Sequence, residues 1–172
     1  MTRLSTLSFA LFLTLSLLHV PPALAQSPEA GEIEDELPLI SMEEAFDTAA
    51  NTDRSVFIDV YAPWCPHCQR LEQEVYADDE VQALMEEHFV MVRINADDPA
   101  EEHVFLGETM MAPDLATSLG AHGFPTLIFM TGEGERIGML PGAVEKSDFM
   151  LLLRYVGTGA FRDQSLEAFA GE

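Results

Sequence analysis

Cysteine is nearly absent: the 172-residue chain has two, Cys65 and Cys68. So few exclude a multi-disulfide scaffold and a four-thiolate zinc site at once. Basic charge is scarce as well, with 8 Lys and Arg against 30 Asp and Glu and a formal net charge of −22. A chain this negative is repelled by phosphate backbones and anionic headgroups, which argues against nucleic acid and lipid surfaces as partners. Long apolar runs are missing too. The best, Leu7 to Leu18, is broken by Ser and Thr and falls short of the roughly 20 residues a membrane-spanning helix needs. There is no internal repeat and no composition break to mark a second domain. The remainder is ordinary for one packed domain: 48% hydrophobic and 22% charged residues, enough to build a sizeable core.

The first 25 residues read as a signal peptide. Arg3 gives a positive start, the apolar run follows, Pro21 and Pro22 end any helix, and Ala23-Leu24-Ala25 sets small residues where a signal peptidase cuts. Cleavage before Gln26 is expected, giving a periplasmic or otherwise exported protein with no stable membrane insertion. Losing Arg3 leaves 7 basic residues against 30 acids, a net charge of −23. Disulfides form and persist in such a compartment. Residues 26–38, mostly Ser, Pro, Gly and acid, read as a flexible acidic arm.

Ser41-Met-Glu-Glu44 is a capping box and predicts a helix to about Asn51, with Met42, Ala45, Phe46 and Ala49 inward. Val56 to Tyr61 is β-branched and aromatic, a strand buried on both faces. Helices are expected over Cys65–Tyr76 and Asp79–His88, then a strand over Phe89–Ile94. Val104-Phe105 and Thr109-Met110, around Gly107, suggest a small hairpin. Pro113 suits the first turn of a helix that Gly120 ends. Thr126–Met130 and Arg136–Leu140 form a second hairpin, residues 145–156 a closing helix, and Ser165 starts a short one in the tail. The order α-β-α-β-α-β-β-α predicts an α/β domain, a central mixed sheet with helices on both faces. Met85, Met91, Met130 and Met150 fit core positions. Met110-Met111 are the one pair suited to a copper or partner contact, and His88 and His103 show no metal-ligand spacing.

Trp64-Cys65-Pro66-His67-Cys68 carries most of the chemistry. At the exit of a buried strand and the start of a helix, the N-terminal sulfur meets unpaired amides and the positive end of the dipole. Cys68, one turn further in, is expected to be more buried. A structural disulfide across one turn closes too small a loop to stabilise much. A copper- or zinc-binding module using both thiolates is chemically sound. Thiol–disulfide exchange accounts for the motif best, with Cys65 attacking and Cys68 resolving the mixed disulfide.

Three separated features then make the chain, over about residues 39–157, resemble the thioredoxin superfamily. They are Phe57-Ile-Asp-Val-Tyr-Ala-Pro-Trp-Cys-Pro-His-Cys68, Gly123-Phe-Pro-Thr126, and Gly142 after the second hairpin. The likeness is greatest to periplasmic thioredoxins of the SoxW type and to the C-terminal domain of the DsbD electron carrier, which also have a longer connection where this chain has residues 98–113. The resemblance implies a thioredoxin fold with an insertion before a cis-proline loop at Pro125. It implies catalytic roles for Cys65, Cys68 and Asp59, the last a buried, unpaired carboxylate relaying a proton to the resolving cysteine. Trp64, Pro66, His67, Phe124 and Pro125 would contact substrate. Partners would be protein thiols or disulfides and a membrane or periplasmic redox protein, with no cofactor and no metal. Two positions depart from the pattern. Arg93 stands where the family has a lysine near the aspartate, and Pro66-His67 replaces the Gly-Pro pair of thioredoxin with that of DsbA-type oxidases. His122 adjoins the proline loop as a further candidate facing the sulfurs.

Overall fold

The computed structural model describes residues 39–171; the signal-peptide and acidic-arm readings lie outside the described residues. The strands are β1 (Ser55–Tyr61), β2 (Phe89–Asn95), β3 (Glu102–Phe105), β4 (Glu108–Met111), β5 (Thr126–Met130) and β6 (Arg136–Pro141). The helices are α1 (Met42–Ala50), α2 (Pro66–Leu71), α3 (Asp79–His88), α4 (Ala112–Ser118), α5 (Lys146–Gly157) and α6 (Leu166–Ala170). Every residue from Val56 to Val60 is buried, so β1 takes the centre of the sheet. It pairs with β2 in parallel and with β5 antiparallel, and β6 continues the sheet in the order β2-β1-β5-β6.

The period of two divides β1 between two cores. Val56, Ile58 and Val60 join Val92, Ile94 and Ile128 under α1 and α4. Phe57 joins Leu127, Phe129 and residues of α2, α3 and α5 on the opposite face. There its ring meets those of Phe129 (5.2 Å between centroids), Phe149 (5.7 Å), Tyr76 (6.2 Å) and Phe89 (6.4 Å). The central mixed sheet with helices on both faces is the architecture expected from the hydrophobic pattern.

The helix ends follow their capping residues. The Ser41 hydroxyl accepts from the Glu44 N–H at 3.2 Å. Asp78 accepts from Glu80 and Val81 at the start of α3 and from Lys146 Nζ at 2.5 Å, tying α3 to the start of α5. Gly120, at φ 83°, lets the chain turn away after α4.

Two elements differ from expectation. The helix expected over Cys65–Tyr76 keeps α geometry only to Leu71, and Glu72–Tyr76 form a π turn. Within that turn the consecutive Val75 and Tyr76 both enter the core. The hairpin around Gly107 is longer than foreseen, pairing Glu102 with Met111 through Phe105 with Glu108. Leu106 and Gly107 both have positive φ, as its two-residue turn requires. Occupying the insertion before the proline loop, the hairpin packs Phe105 against Phe46 at 5.6 Å. Met110 is partly buried and packs against the same core.

Phe57→Ala should remove the hub of the second core and cost about 3–5 kcal/mol, the usual range for a buried Phe. Urea denaturation checks this, and a loss below about 1 kcal/mol would show that the cluster rearranges without it.

Candidate active site

The turn from β1 into α2 is built by its own residues. The Cys65 N–H donates to the Ala62 carbonyl at 3.0 Å, and the Cys65 carbonyl accepts from the Gln69 N–H at 3.1 Å. Pro66 takes the opening of the helix, where its missing N–H has no intrahelical use. Cys65 caps that helix itself: its Sγ accepts from the Cys68 N–H at 3.2 Å. Both residues are free thiols. Cys68 is not the more buried of the two, for each is 3% exposed. Its chemistry is nonetheless distinct. Burial first, and then the hydrogen bond to Cys65, push the Cys68 thiol up to about 12. Cys68 therefore keeps its proton at neutral pH until a base takes it.

The loop facing this turn is held at both ends. Thr126 Oγ1 donates to the Gly123 carbonyl at 2.7 Å, and Gly142 N–H donates to the Pro125 carbonyl at 2.8 Å. The Phe124–Pro125 peptide is cis, and Pro125 is buried. Phe124 packs against Ala62, Cys65 and Cys68. Trp64, 62% exposed, meets it edge to face at 5.9 Å and donates Nε1–H to Asp97 Oδ2 at 2.8 Å. Pro66, His67 and His122 are exposed beside them. Among the described residues, no backbone hydrogen bond uses the Phe124 N–H or carbonyl.

Beneath the sulfurs lies a buried charge cluster. Asp59 is 1% exposed, and Arg93 Nε donates to its Oδ2 at 3.2 Å. Asp59 is thus paired, contrary to the unpaired carboxylate expected. The register explains the meeting, since Asp59 and Arg93 are opposed across the β1–β2 pair. Arg93 also holds Glu72 and lies 3.9 Å over the Tyr61 ring. Burial raises Asp59 from 3.8 to about 6; Arg93 works against the rise and Glu72 adds to it. Burial also raises Tyr76 well above its usual range, reinforced by the Asp59 charge.

Sequence reasoning placed Cys65, Cys68, Asp59, Trp64, Phe124 and Pro125 in one site, and all six gather here. It missed Glu72, Tyr76 and Asp97. The first two had a legible signal: Glu72 is four residues after Cys68 and Tyr76 four beyond that, the spacing of one helix face. Asp97 follows β2 in a loop whose course no pattern announces. Among the described residues, no group of three or more His, Cys, Asp or Glu is placed to hold a metal ion. The dithiol would have to bind one without a third ligand of that kind.

A sheet of this order, with a dithiol at the first strand–helix turn and a proline loop against it, defines a thioredoxin-like redox domain. The sequence model of the thioredoxin-like domain family matches residues 42–157, and the chain belongs to that family. Protein disulfide-isomerase 5-2 of Arabidopsis thaliana is 42% identical over 52 residues, 30% of this chain and 12% of the relative, so this chain spans a small part of that longer protein. A thioredoxin-fold protein from Helicobacter pylori superposes with TM-score 0.66 at 21% identity, covering 79% of this chain and 90% of that one. The C-terminal domain of DsbD from Neisseria meningitidis does so with TM-score 0.50 at 23% identity, covering 65% and 90%. Both structures share the fold.

The raised Asp59 value has a sign that denaturation can read. Between about pH 4 and 6 the folded chain keeps a proton that the unfolded chain releases. Stability from neutral Asp59 is therefore complete below the unfolded value and lost as pH rises through about 6. Asp59→Asn should be more stable than the native chain at pH 8, by on the order of a few kcal/mol. The gap should close near pH 4. Urea titrations at the two pH values check this, and a difference independent of pH would contradict it.

Proposed function

We propose that the chain exchanges disulfides with protein thiols through a mixed disulfide at Cys65. The observation that carries this reading is the free dithiol at the start of α2, with the Cys65 sulfur capping the helix and the Cys68 thiol held protonated beside it. Cys65, as thiolate, attacks a substrate disulfide; one substrate sulfur bonds to Cys65 and the other leaves with the electron pair. Cys68 then gives its proton toward Asp59 and attacks the Cys65 sulfur. The Cys65–Cys68 bond closes and the second substrate sulfur departs reduced. Run backwards, the same steps oxidise a substrate dithiol. Asp59 suits the proton transfer because burial sets it near neutrality.

Substrate docks over Trp64, Pro66, His67 and Phe124 on this reading. An extended segment pairs with the Phe124 N–H and carbonyl, which have no backbone partner among the described residues. The leader-like N-terminus and the thiol chemistry together favour an exported, periplasmic protein that draws electrons from, or passes them to, a membrane or periplasmic redox partner. Among the described residues, no helix is long and apolar enough to cross a membrane.

Cys68→Ser should trap a mixed disulfide at Cys65 with a disulfide-bonded protein substrate, because the attacking thiol remains and the resolving one is gone. Cys65→Ser should trap far less. Intact mass under non-reducing conditions checks both, and equal trapping would show that the roles are misassigned.

The dipeptide bears on direction. His67 is in the first turn of α2, beside Cys65, and its imidazolium form stabilises negative sulfur and so the reduced dithiol. Replacing Pro66-His67 by Gly-Pro should lower the reduction potential by about 30 mV or more, each such step being a tenfold change in the equilibrium with glutathione. A redox titration that leaves the potential unchanged would remove the dipeptide from the argument.

A further inference from the structure

Two polar atoms under the dithiol have no hydrogen-bond partner among the described residues: Asp59 Oδ1 and the Tyr76 hydroxyl. Both residues are almost fully buried, at 1% and 4% exposure, so bulk water cannot serve either. Such groups are rare and costly, and each calls for a reason. Here the two needs are complementary, for an ionised carboxylate oxygen only accepts and a phenol can donate. They also share one face of the sheet. The Tyr76 ring meets Phe57 edge on at 6.2 Å, and Phe57 lies two residues before Asp59 on β1, on the same side. Packing alone would be met by a phenylalanine at position 76, as it is at Phe149, 5.6 Å from the same ring. Arg93 occupies the other Asp59 oxygen, which leaves Oδ1 for a second donor.

We propose that the Tyr76 hydroxyl donates a hydrogen bond to one buried water that in turn donates to Asp59 Oδ1, and that Tyr76 is a positioning residue for the proton exchange between Asp59 and Cys68. Its purpose rests on the exchange function proposed above; the contact itself does not. The other ionisable groups that face this pair are Arg93 from β2, Tyr61 from the end of β1, Glu72 from the π turn and Cys68 from α2. Helices α3 and α5 bring apolar side chains to this face, among them Val81, Met85, Phe149 and Leu153. A donor to the ionised carboxylate favours that form. Tyr76 therefore offsets part of the burial that holds the Asp59 proton on, and keeps the carboxylate turned between Arg93 and the sulfurs.

Carbon-13 NMR of the reduced full chain reads both ends of the contact. In the native protein the Tyr76 Cζ resonance should follow the titration of the Asp59 carboxyl, and Asp59→Asn should abolish that dependence. In Tyr76→Phe the Asp59 midpoint should rise by about one pH unit, a tenfold change in proton affinity. The pH profile of ring closure by Cys68 should move with it. A Tyr76 resonance that stays flat while Asp59 titrates overturns the proposal, and so does an unchanged Asp59 midpoint in folded Tyr76→Phe. The first measurement needs only the native chain and Asp59→Asn, so it decides the matter even if Tyr76→Phe fails to fold. Absence of exchange at Cys65 with the coupling intact would overturn the proposed function and leave the contact standing.

Discussion

Strand β1 is paired along both edges and covered on both faces, so a charged side chain within it has no route to water. Asp59 is that side chain. A lone buried carboxylate is expensive to ionise, and the fold answers with Arg93 from the neighbouring strand, itself shared with Glu72. Burial still prevails, and Asp59 sits near neutrality instead of deep in the acid range. The thiols above it inherit the consequence. A carboxylate that can hold or release a proton at neutral pH is placed under a cysteine that cannot readily lose its own.

The π turn is part of the same arrangement. Five residues in one turn set Glu72 against Arg93 while Val75 and Tyr76 both enter the core. Irregular turns of this kind recur at functional sites because they re-aim side chains without breaking the helix. Here the helix that carries Cys68 also carries two of the groups surrounding Asp59.

Above the sulfurs the constraints are aromatic. Trp64 is largely exposed yet fixed by Asp97 on one side and Phe124 on the other. A large side chain anchored at two points contributes contact area to a partner with little rotamer entropy left to lose. The loop that supplies Phe124 is held at both ends by the hydrogen bonds of Thr126 and Gly142. Most acidic side chains among the described residues are exposed, which leaves this small apolar area distinct from its surroundings.

Periodicity, caps and breakers are local properties, and what depends on them was legible in the residues alone. The buried run Val56–Val60, the cap at Ser41, the turn around Gly107 and the helix start at Cys65-Pro66 all act within a few residues of their own positions. So did the central chemistry, because two cysteines one turn apart at a strand–helix junction have few uses. The family resemblance pointed to Asp59 and to Arg93 near it, but that the two pair was decided by the register of β1 with β2, which joins residues 34 positions apart. The π turn escaped prediction because it costs one residue of phase, smaller than any pattern resolves. The equal burial of Cys65 and Cys68 involves Phe124, which comes from the loop before β5, far along the chain, and packs against both. Local sequence determines which elements form and which atoms react. Which charges meet, and how much water reaches them, is decided by strands and loops distant in the chain, because desolvation is a property of everything packed around a group.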